Sequence, residues 1–264
     1  MLKGAMHVHS VYSDGEFTLE ELRRVYLSEG CSFVCITDHA EYFDTESVKA
    51  YARELSLHSD EHFCFVIGLE YACERGMHIL GYGSSVLATT KDPQAVIRHI
   101  DAQGALAVIA HPKDEFFSWI EEFEAQPKGI ETCNSKYDGQ YAPRPGTFAL
   151  LRGLRQRAPQ MHAFYGQDLH WRNQFRGLYV TVECEAPDPA AILRSLAMGA
   201  YSARKDELHL PSSGVLPNEL MEKFGAAHAR SQRTRNFFKR SKAMLDRLGI
   251  RVPASVKAQL RRIF

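Results

Sequence analysis

Gly4-Ala5-Met6-His7-Val8-His9-Ser10 is the stretch on which the reading of this chain turns. It opens with residues small or apolar enough for a buried strand, and a strand's period of two then sends the imidazoles of His7 and His9 to the same side. Further short apolar runs predict strands at Ser32 to Thr37, Phe63 to Leu69, Met77 to Tyr82, Leu106 to Ala110, Gly129 to Cys133, His162 to Tyr165 and Leu178 to Glu183. Helix-period segments lie between them. Thr18 to Glu29 carries a capping box, Thr18 with Glu21, and stops at Gly30. Asp92 to Gln103 closes on Gly104, and Pro187 to Met198 opens on Asp188 and Pro189 and closes on Gly199. This alternation predicts an α/β fold, either a barrel or a layered sheet built from βα units.

The polar groups of these strands gather at strand ends. Asp38 and His39 end the second strand, Glu70 ends the third, His78 begins the next, His111 precedes Pro112, and Asp168 and His170 repeat the spacing of two. In a parallel barrel the carboxyl ends share one rim, so residues far apart in the chain converge there. A lone histidine in a strand is more often a hydrogen-bonded structural residue than a ligand. Six of them with acids on one rim reverse that expectation, because such a rim carries a desolvation cost with nothing to offset it. Imidazole and carboxylate suit Mn, Zn or Fe, and so many donors exceed the needs of a single ion. His58, His62, His99, His162, His209 and His228 lack such neighbours and read as ordinary.

With 264 residues, 45% hydrophobic and 24% charged, the chain suffices for one large domain and a small appendage, which excludes a disordered tail protein. Charged residues interrupt every apolar run and Met1-Leu2-Lys3-Gly4 lacks an apolar signal core, so a cytoplasmic location is expected. The six cysteines form no CxxC pair and read as small buried hydrophobes. Formal charge is zero, yet residues 219–264 hold 12 Lys and Arg against 3 Asp and Glu, +9, which leaves −9 on the rest. An acidic body, with further acids at Glu115, Glu121, Glu122 and Glu124, argues against long nucleic acid as partner. The turn formers from His209 to Gly214 suggest a barrel over residues 1–208 and, over 209–264, a linker with a basic amphipathic helical extension. In that extension Phe237, Phe238, Ser241, Met244, Leu245 and Leu248 trace one helix face, and Val256, Leu260 and Ile263 another. The first face is expected to pack on the body, with a peripheral membrane surface or a protein as the alternative contact. Removing residues beyond about Asn218 is expected to spare any chemistry.

His7-Val8-His9-Ser10 with Ser13-Asp14-Gly15, then Thr37-Asp38-His39, Gly68-Leu69-Glu70, His78, Ala110-His111-Pro112 and Gly166-Gln167-Asp168-Leu169-His170 resemble, in order and spacing, the PHP (polymerase and histidinol phosphatase) phosphoesterases. The resemblance spans about residues 1 to 205. It implies a distorted (β/α)7 barrel with two to three divalent metal ions at the rim. It implies His7, His9, Glu70 and Asp168 around a first metal, Glu70, His78 and His111 around a second, and Asp14, His39 and His170 around a third. Asp38 would orient a ligand or cap a turn. The implied activity is hydrolysis of a phosphate ester by a metal-bridging hydroxide, with Glu70, His39 and Asp168 in catalytic roles.

Cations on loops after strands, Lys113, Lys136, Arg172 and Arg204, are candidates to grip phosphate, although each also reads as a solvated surface charge. Tyr137, Tyr141 and Trp171 are loop aromatics able to stack on a substrate ring. The favoured substrate is a small phosphorylated molecule cleaved by a histidinol-phosphatase-like monoesterase. The alternatives are a phosphodiesterase or 5'-3' exonuclease acting on nucleotides or short oligonucleotides, and a non-catalytic metal-stabilised docking module.

Overall fold

The computed structural model describes residues 1–138, 143–175 and 177–247, with the side chains of all of these except 235, 238, 239 and 242–247. Tyr141, Leu248 and the second expected face, Val256, Leu260 and Ile263, therefore lie outside the described residues, as do the side chains of Phe238, Met244 and Leu245.

The chain begins with β1 (Leu2–Val8), α1 (Leu19–Ser28), β2 (Phe33–Ile36), β3 (Asp38–His39) and α2 (Thr45–Leu57). There follow β4 (Cys64–Val66), β5 (Gly68–Ala72), β6 (His78–Tyr82), α3 (Pro93–Ala102), β7 (Leu106–Ala110), α4 (Phe117–Glu121), β8 (Gly129–Asn134), α5 (Pro145–Leu154) and β9 (His162–Gly166). The remainder is β10 (Tyr179–Val182), α6 (Pro189–Ala197), β11 (Tyr201–Lys205), β12 (Leu208–Pro211) and α7 (Asn218–Arg247). Each of the eight strands predicted between residues 4 and 183, and each of the three helices predicted between residues 18 and 198, has its counterpart. Thr18 caps α1 in the expected box with Glu21, Asp92 and Asp188 cap α3 and α6, and Gly30, Gly104 and Gly199 take the positive φ of a helix stop.

Hydrogen bonds close a ring of strands. β1 pairs with β2, β2 with β4, β3 with β5, β5 with β6, β6 with β7, β7 with β8 and β8 with β9. The ring is completed where the chain leaving β9 meets the end of β1, through Gln167 N donating to Met6 O at 2.8 Å and His9 N donating to Leu169 O at 3.0 Å. β2 with β3 and β4 with β5 are each one broken stave, so the barrel has seven staves and is distorted. The other end of that seam is filled by β10, antiparallel to β1 at Leu2 to Gly4, which carries β11 and β12 outward as an antiparallel flap. All residues of β7 and β8 are buried, as expected of staves covered on both faces.

Two features depart from the sequence reading. β6 runs antiparallel to both neighbours, so the start of this strand, where His78 lies, is at the same rim as the ends of the others. β12 occupies Leu208–Pro211, so the boundary expected between 208 and 209 falls within a strand. α7 buries Phe224 and Ser231 on one stripe, with the Phe224 ring 6.5 Å from that of Phe148 on α5, whereas Phe237 of the expected packing face is 66% exposed. Among the described residues no helix is long and apolar enough to cross a membrane.

Candidate metal centre

The left-handed backbone region is uncommon for residues with a side chain, yet it holds His7 (φ 59°), His111 (φ 27°) and Asp168 (φ 51°). At His7 the pairing of β1 with β2 slips between Met6 and Val8, a bulge that turns the imidazole inward. His7 and His9 come to rest with ring centroids 5.2 Å apart, through this bulge and the end of β1 at Val8 rather than through the regular period of two that the sequence suggested.

All nine expected ligand positions converge. Glu70, buried at the end of the β5 pairing with β3, is the hub. Its Oε2 lies 3.4 Å from His7 Nε2, 3.2 Å from His9 Nε2 and 3.5 Å from His39 Nδ1. Its Oε1 lies 2.7 Å from His78 Nδ1 and 3.2 Å from His111 Nε2. Asp168 Oδ1 is 3.7 Å from both His7 Nε2 and His9 Nε2. Asp14 Oδ1 faces His170 Nε2 at 3.3 Å, His39 Nε2 at 3.6 Å and His9 Nδ1 at 3.7 Å. Donor atoms close enough to share an ion fall into the sets His9, Asp14, His39, His170; His7, His9, Asp168; Glu70, His78, His111; and His7, His111, Glu131.

The chemistry of these donors fits divalent metal. His7 Nε2 and both ring nitrogens of His9 are buried without a hydrogen-bond partner. Each such orphan costs about 1–3 kcal/mol, which coordination would remove. Burial opposes charge on His7, but Glu131, Asp168 and Glu70 outweigh it and raise the imidazole well above its ordinary value. Burial likewise opposes the charge of Glu70, but the adjacent His7 and the hydrogen-bonding His111 and His78 hold its carboxyl well below the usual range. Asp168 follows the same pattern, with His7 and His111 overcoming its burial. His170 is driven down to about 4 by burial, by His9 and by Lys136, which keeps its ring neutral and free to ligate.

A second ring of side chains holds the first in place. Glu131, inside β8 and 1% exposed, receives a hydrogen bond from His7 Nδ1 at 2.8 Å, from His111 N at 2.8 Å and from Asn134 Nδ2 at 2.9 Å. It was missed in the sequence, although an acid in the middle of Gly129-Ile130-Glu131-Thr132-Cys133 is a buried charge that demands partners. Gly166, beside it on β9, has no room for a side chain, since a Cβ there would overlap Glu131 Oε1. Asp38 accepts from Ser10 N, Ser10 Oγ, Ser13 Oγ and Tyr51 OH at 2.5–2.8 Å, fixing the loop after His9 as a ligand-orienting or capping residue would.

The candidate phosphate cations divide. Lys136 Nζ reaches Asp168 Oδ1 at 3.1 Å and His170 Nδ1 at 3.3 Å, inside the cluster. Lys113 lines a cavity of about 920 Å³ that opens beside His78 and His111. Arg172 is instead drawn to α1, with Nη2 2.5 Å from Glu21 Oε1 and its guanidinium over the Phe17 ring. Arg204 is exposed on β11 of the outer flap and does not line the cavity, because that strand lies outside the barrel. Arg144, unremarked in the sequence, does line it, bound to Asp138 at 3.0 Å and Asp114 at 3.3 Å. The Tyr137 ring lies 4.5 Å from that of His111, Trp171 6.0 Å from His170 and Tyr42 6.3 Å from His39, and all three are exposed. His228, read as ordinary, also borders the cavity, while the five other histidines so read stay outside the ligand sets.

A closed seven-stave barrel with histidines and carboxylates pooled at one rim defines a metal-binding α/β barrel of the hydrolase type. The chain belongs to the PHP domain family, whose description matches residues 5–142. Its fold resembles a two-domain protein from Bacteroides vulgatus described as containing a predicted PHP-like metal-dependent phosphoesterase, at TM-score 0.55 and 15% identity over 86% of this chain and 69% of that one. It also resembles PsfC from Pseudomonas syringae, at TM-score 0.52 and 12% identity over 88% and 98% of the two chains. A DNA polymerase/3'-5' exonuclease, PolX of Bacillus subtilis (strain 168), is 32% identical over 77 residues. That match takes in 26% of this chain and 14% of the polymerase's length.

Proposed function

We propose that this protein is a metal-dependent phosphoesterase that hydrolyses the monoester of a small phosphorylated molecule. The observation that supports this most is the open cleft of about 920 Å³ that adjoins the cluster at His78 and His111, within the roughly 300–1,000 Å³ that holds a small ligand. In this reading His7, His9, Glu70 and Asp168 hold one ion, Glu70, His78 and His111 a second, and Asp14, His39 and His170 a third. Mn, Zn or Fe held there would supply Lewis acidity and a water acidified towards neutrality.

The chain's own residues then have separate tasks. Glu70 presents one carboxylate oxygen to each of two ligand sets, which is the disposition of a bridging ligand. Asp168, kept ionised, contributes charge and accepts from Lys136. His39, between Asp14 and Glu70, is pushed down by burial, which suits it to hold the third ion as a neutral imidazole. Lys113 and Lys136 face the phosphate oxygens. Hydrolysis of 4-nitrophenyl phosphate against bis(4-nitrophenyl) phosphate, with Mn or Zn added, tests the reading. Faster monoester cleavage, lost in folded Glu70→Ala and His111→Ala, is expected. Preference for the diester would favour the second reading, cleavage at a nucleotide diester, which the exposed Tyr42, Tyr137 and Trp171 around the cluster support. No turnover of either would remove the enzymatic reading.

A further inference from the structure

Lys136 stands two residues after β8, held there by its backbone N, which donates to Asn134 Oδ1 at 3.1 Å. Its side chain turns into the cluster and is 24% exposed. Nζ lies 3.1 Å from Asp168 Oδ1, and 3.3 and 3.4 Å from the two ring nitrogens of His170. Near-equal distances to two nitrogens separated by one carbon place the ammonium across the ring, on the axis of neither lone pair. The His170 imidazole thus stays available to the set it forms with His9, Asp14 and His39, whereas Asp168 Oδ1 is engaged. That oxygen is also the one that faces His7 Nε2 and His9 Nε2, at 3.7 Å each.

An ammonium and a divalent ion therefore have a claim on the same carboxylate oxygen. Asp168 is 1% exposed, so the repulsion between two cations beside it is poorly screened. The lysine is the mobile party, a compact charge on a flexible stem with rotatable donors. Its alternatives are the Tyr137 ring, with the centroid 5.6 Å away, and any anion that enters the cluster. A phosphate group is such an anion, and an ammonium drawn onto it leaves Oδ1 free to ligate. We propose that Lys136 couples metal binding to phosphate binding: its charge loosens the hold of the His7, His9 and Asp168 set on a divalent ion, and a bound phosphate lifts that opposition by taking the ammonium. By linkage each ligand then tightens the other. This rests on the ligand assignment under Proposed function and not on the preference for monoesters. It makes the phosphate group itself, on a substrate or as the inorganic product, the partner that Lys136 recognises.

The test reads metal affinity rather than turnover, by competition of Mn with a chromophoric chelator on the full chain, with and without inorganic phosphate. Lys136→Met keeps the reach of the side chain and removes its charge. Without phosphate, at least one binding step in this variant should tighten by about ten- to a hundredfold, the scale of one hydrogen bond to a charged group. Phosphate should tighten that step in the parent and in Lys136→Arg, which keeps the charge, and much less in Lys136→Met. Equal or weaker Mn binding in a Lys136→Met protein whose circular dichroism matches the parent would overturn the inference, since the lysine would then only brace Asp168. Tighter binding with the phosphate effect intact would overturn the coupling. A parent that takes up no Mn would bring down the ligand assignment itself, and that failure is told apart because all three proteins would then behave alike.

Discussion

Replacing Glu131 by Gln changes one atom and should disturb two metal ligands. The carboxylate accepts from His7 Nδ1 at 2.8 Å through Oε1, and from His111 N and Asn134 Nδ2 at 2.8 and 2.9 Å through Oε2. If the glutamine turns its amide nitrogen toward Oε2's place, that nitrogen meets two donors. If it turns the nitrogen toward His7, Nδ1 must become an acceptor, the ring proton moves to Nε2, and Nε2 can no longer ligate. A hydrogen bond to a charged group is worth about 1.5–3 kcal/mol, and partners of metal ligands typically govern affinity by about 10–100-fold, or about 1.4–2.7 kcal/mol. The two scales agree. Metal dissociation constants, from competition with a chromophoric chelator on protein checked by circular dichroism, should therefore weaken by one to two orders of magnitude. A folded Glu131→Gln that binds metal as tightly as the parent would refute the view that this carboxylate sets the His7 tautomer.

Gly166→Ala should reproduce much of that loss from the backbone side, since the new methyl displaces Glu131 Oε1; unchanged metal affinity would place the carboxylate elsewhere. Loading the metal-free protein at neutral pH should release protons, because the imidazoles of His7 and His78 are both raised by neighbouring carboxylates and must be deprotonated to ligate. Calorimetric enthalpies of loading that do not vary with buffer ionisation would contradict this. The same loading should stabilise the fold by about 4 kcal/mol at a thousandfold excess over the dissociation constant, read as a rise in Tm. Cys31, Cys64 and Cys73 have thiols pushed up to about 12 by burial, and Cys35 and Cys133 are raised and buried too. At pH 8 a disulfide reagent should therefore label Cys184 alone until the protein is denatured, and rapid labelling of a second thiol would count against the packing described.

The staves were legible because each is an apolar run bounded by turn formers, and the ligands because they stand at stave ends, where polarity interrupts the run. The direction of β6 was not legible: periodicity has no sense along the chain, and only the hydrogen-bond ladder reveals that His78 reaches the rim from the opposite side. β11 and β12 alternate buried with partly exposed residues and carry polar side chains, so they read as connection. Position after a strand proved too coarse a signal for Arg172 and Arg204, whose side chains are set by Glu21 and by the outer flap. Glu131 acts through His7 rather than at the rim, and His228 arrives on a helix whose docking depends on contacts distant in the chain, such as Phe224 with Phe148.

His7, His111 and Asp168 carry side chains at backbone angles that favour glycine, and each such position costs about 1–3 kcal/mol. Mutants selected for heat tolerance in the absence of metal would tend to shed these side chains, gaining robustness as they lose the means to hold ions. Any programme to harden this scaffold would therefore have to score metal binding alongside melting, since the two pull in opposite directions at these three positions in the metal-free protein.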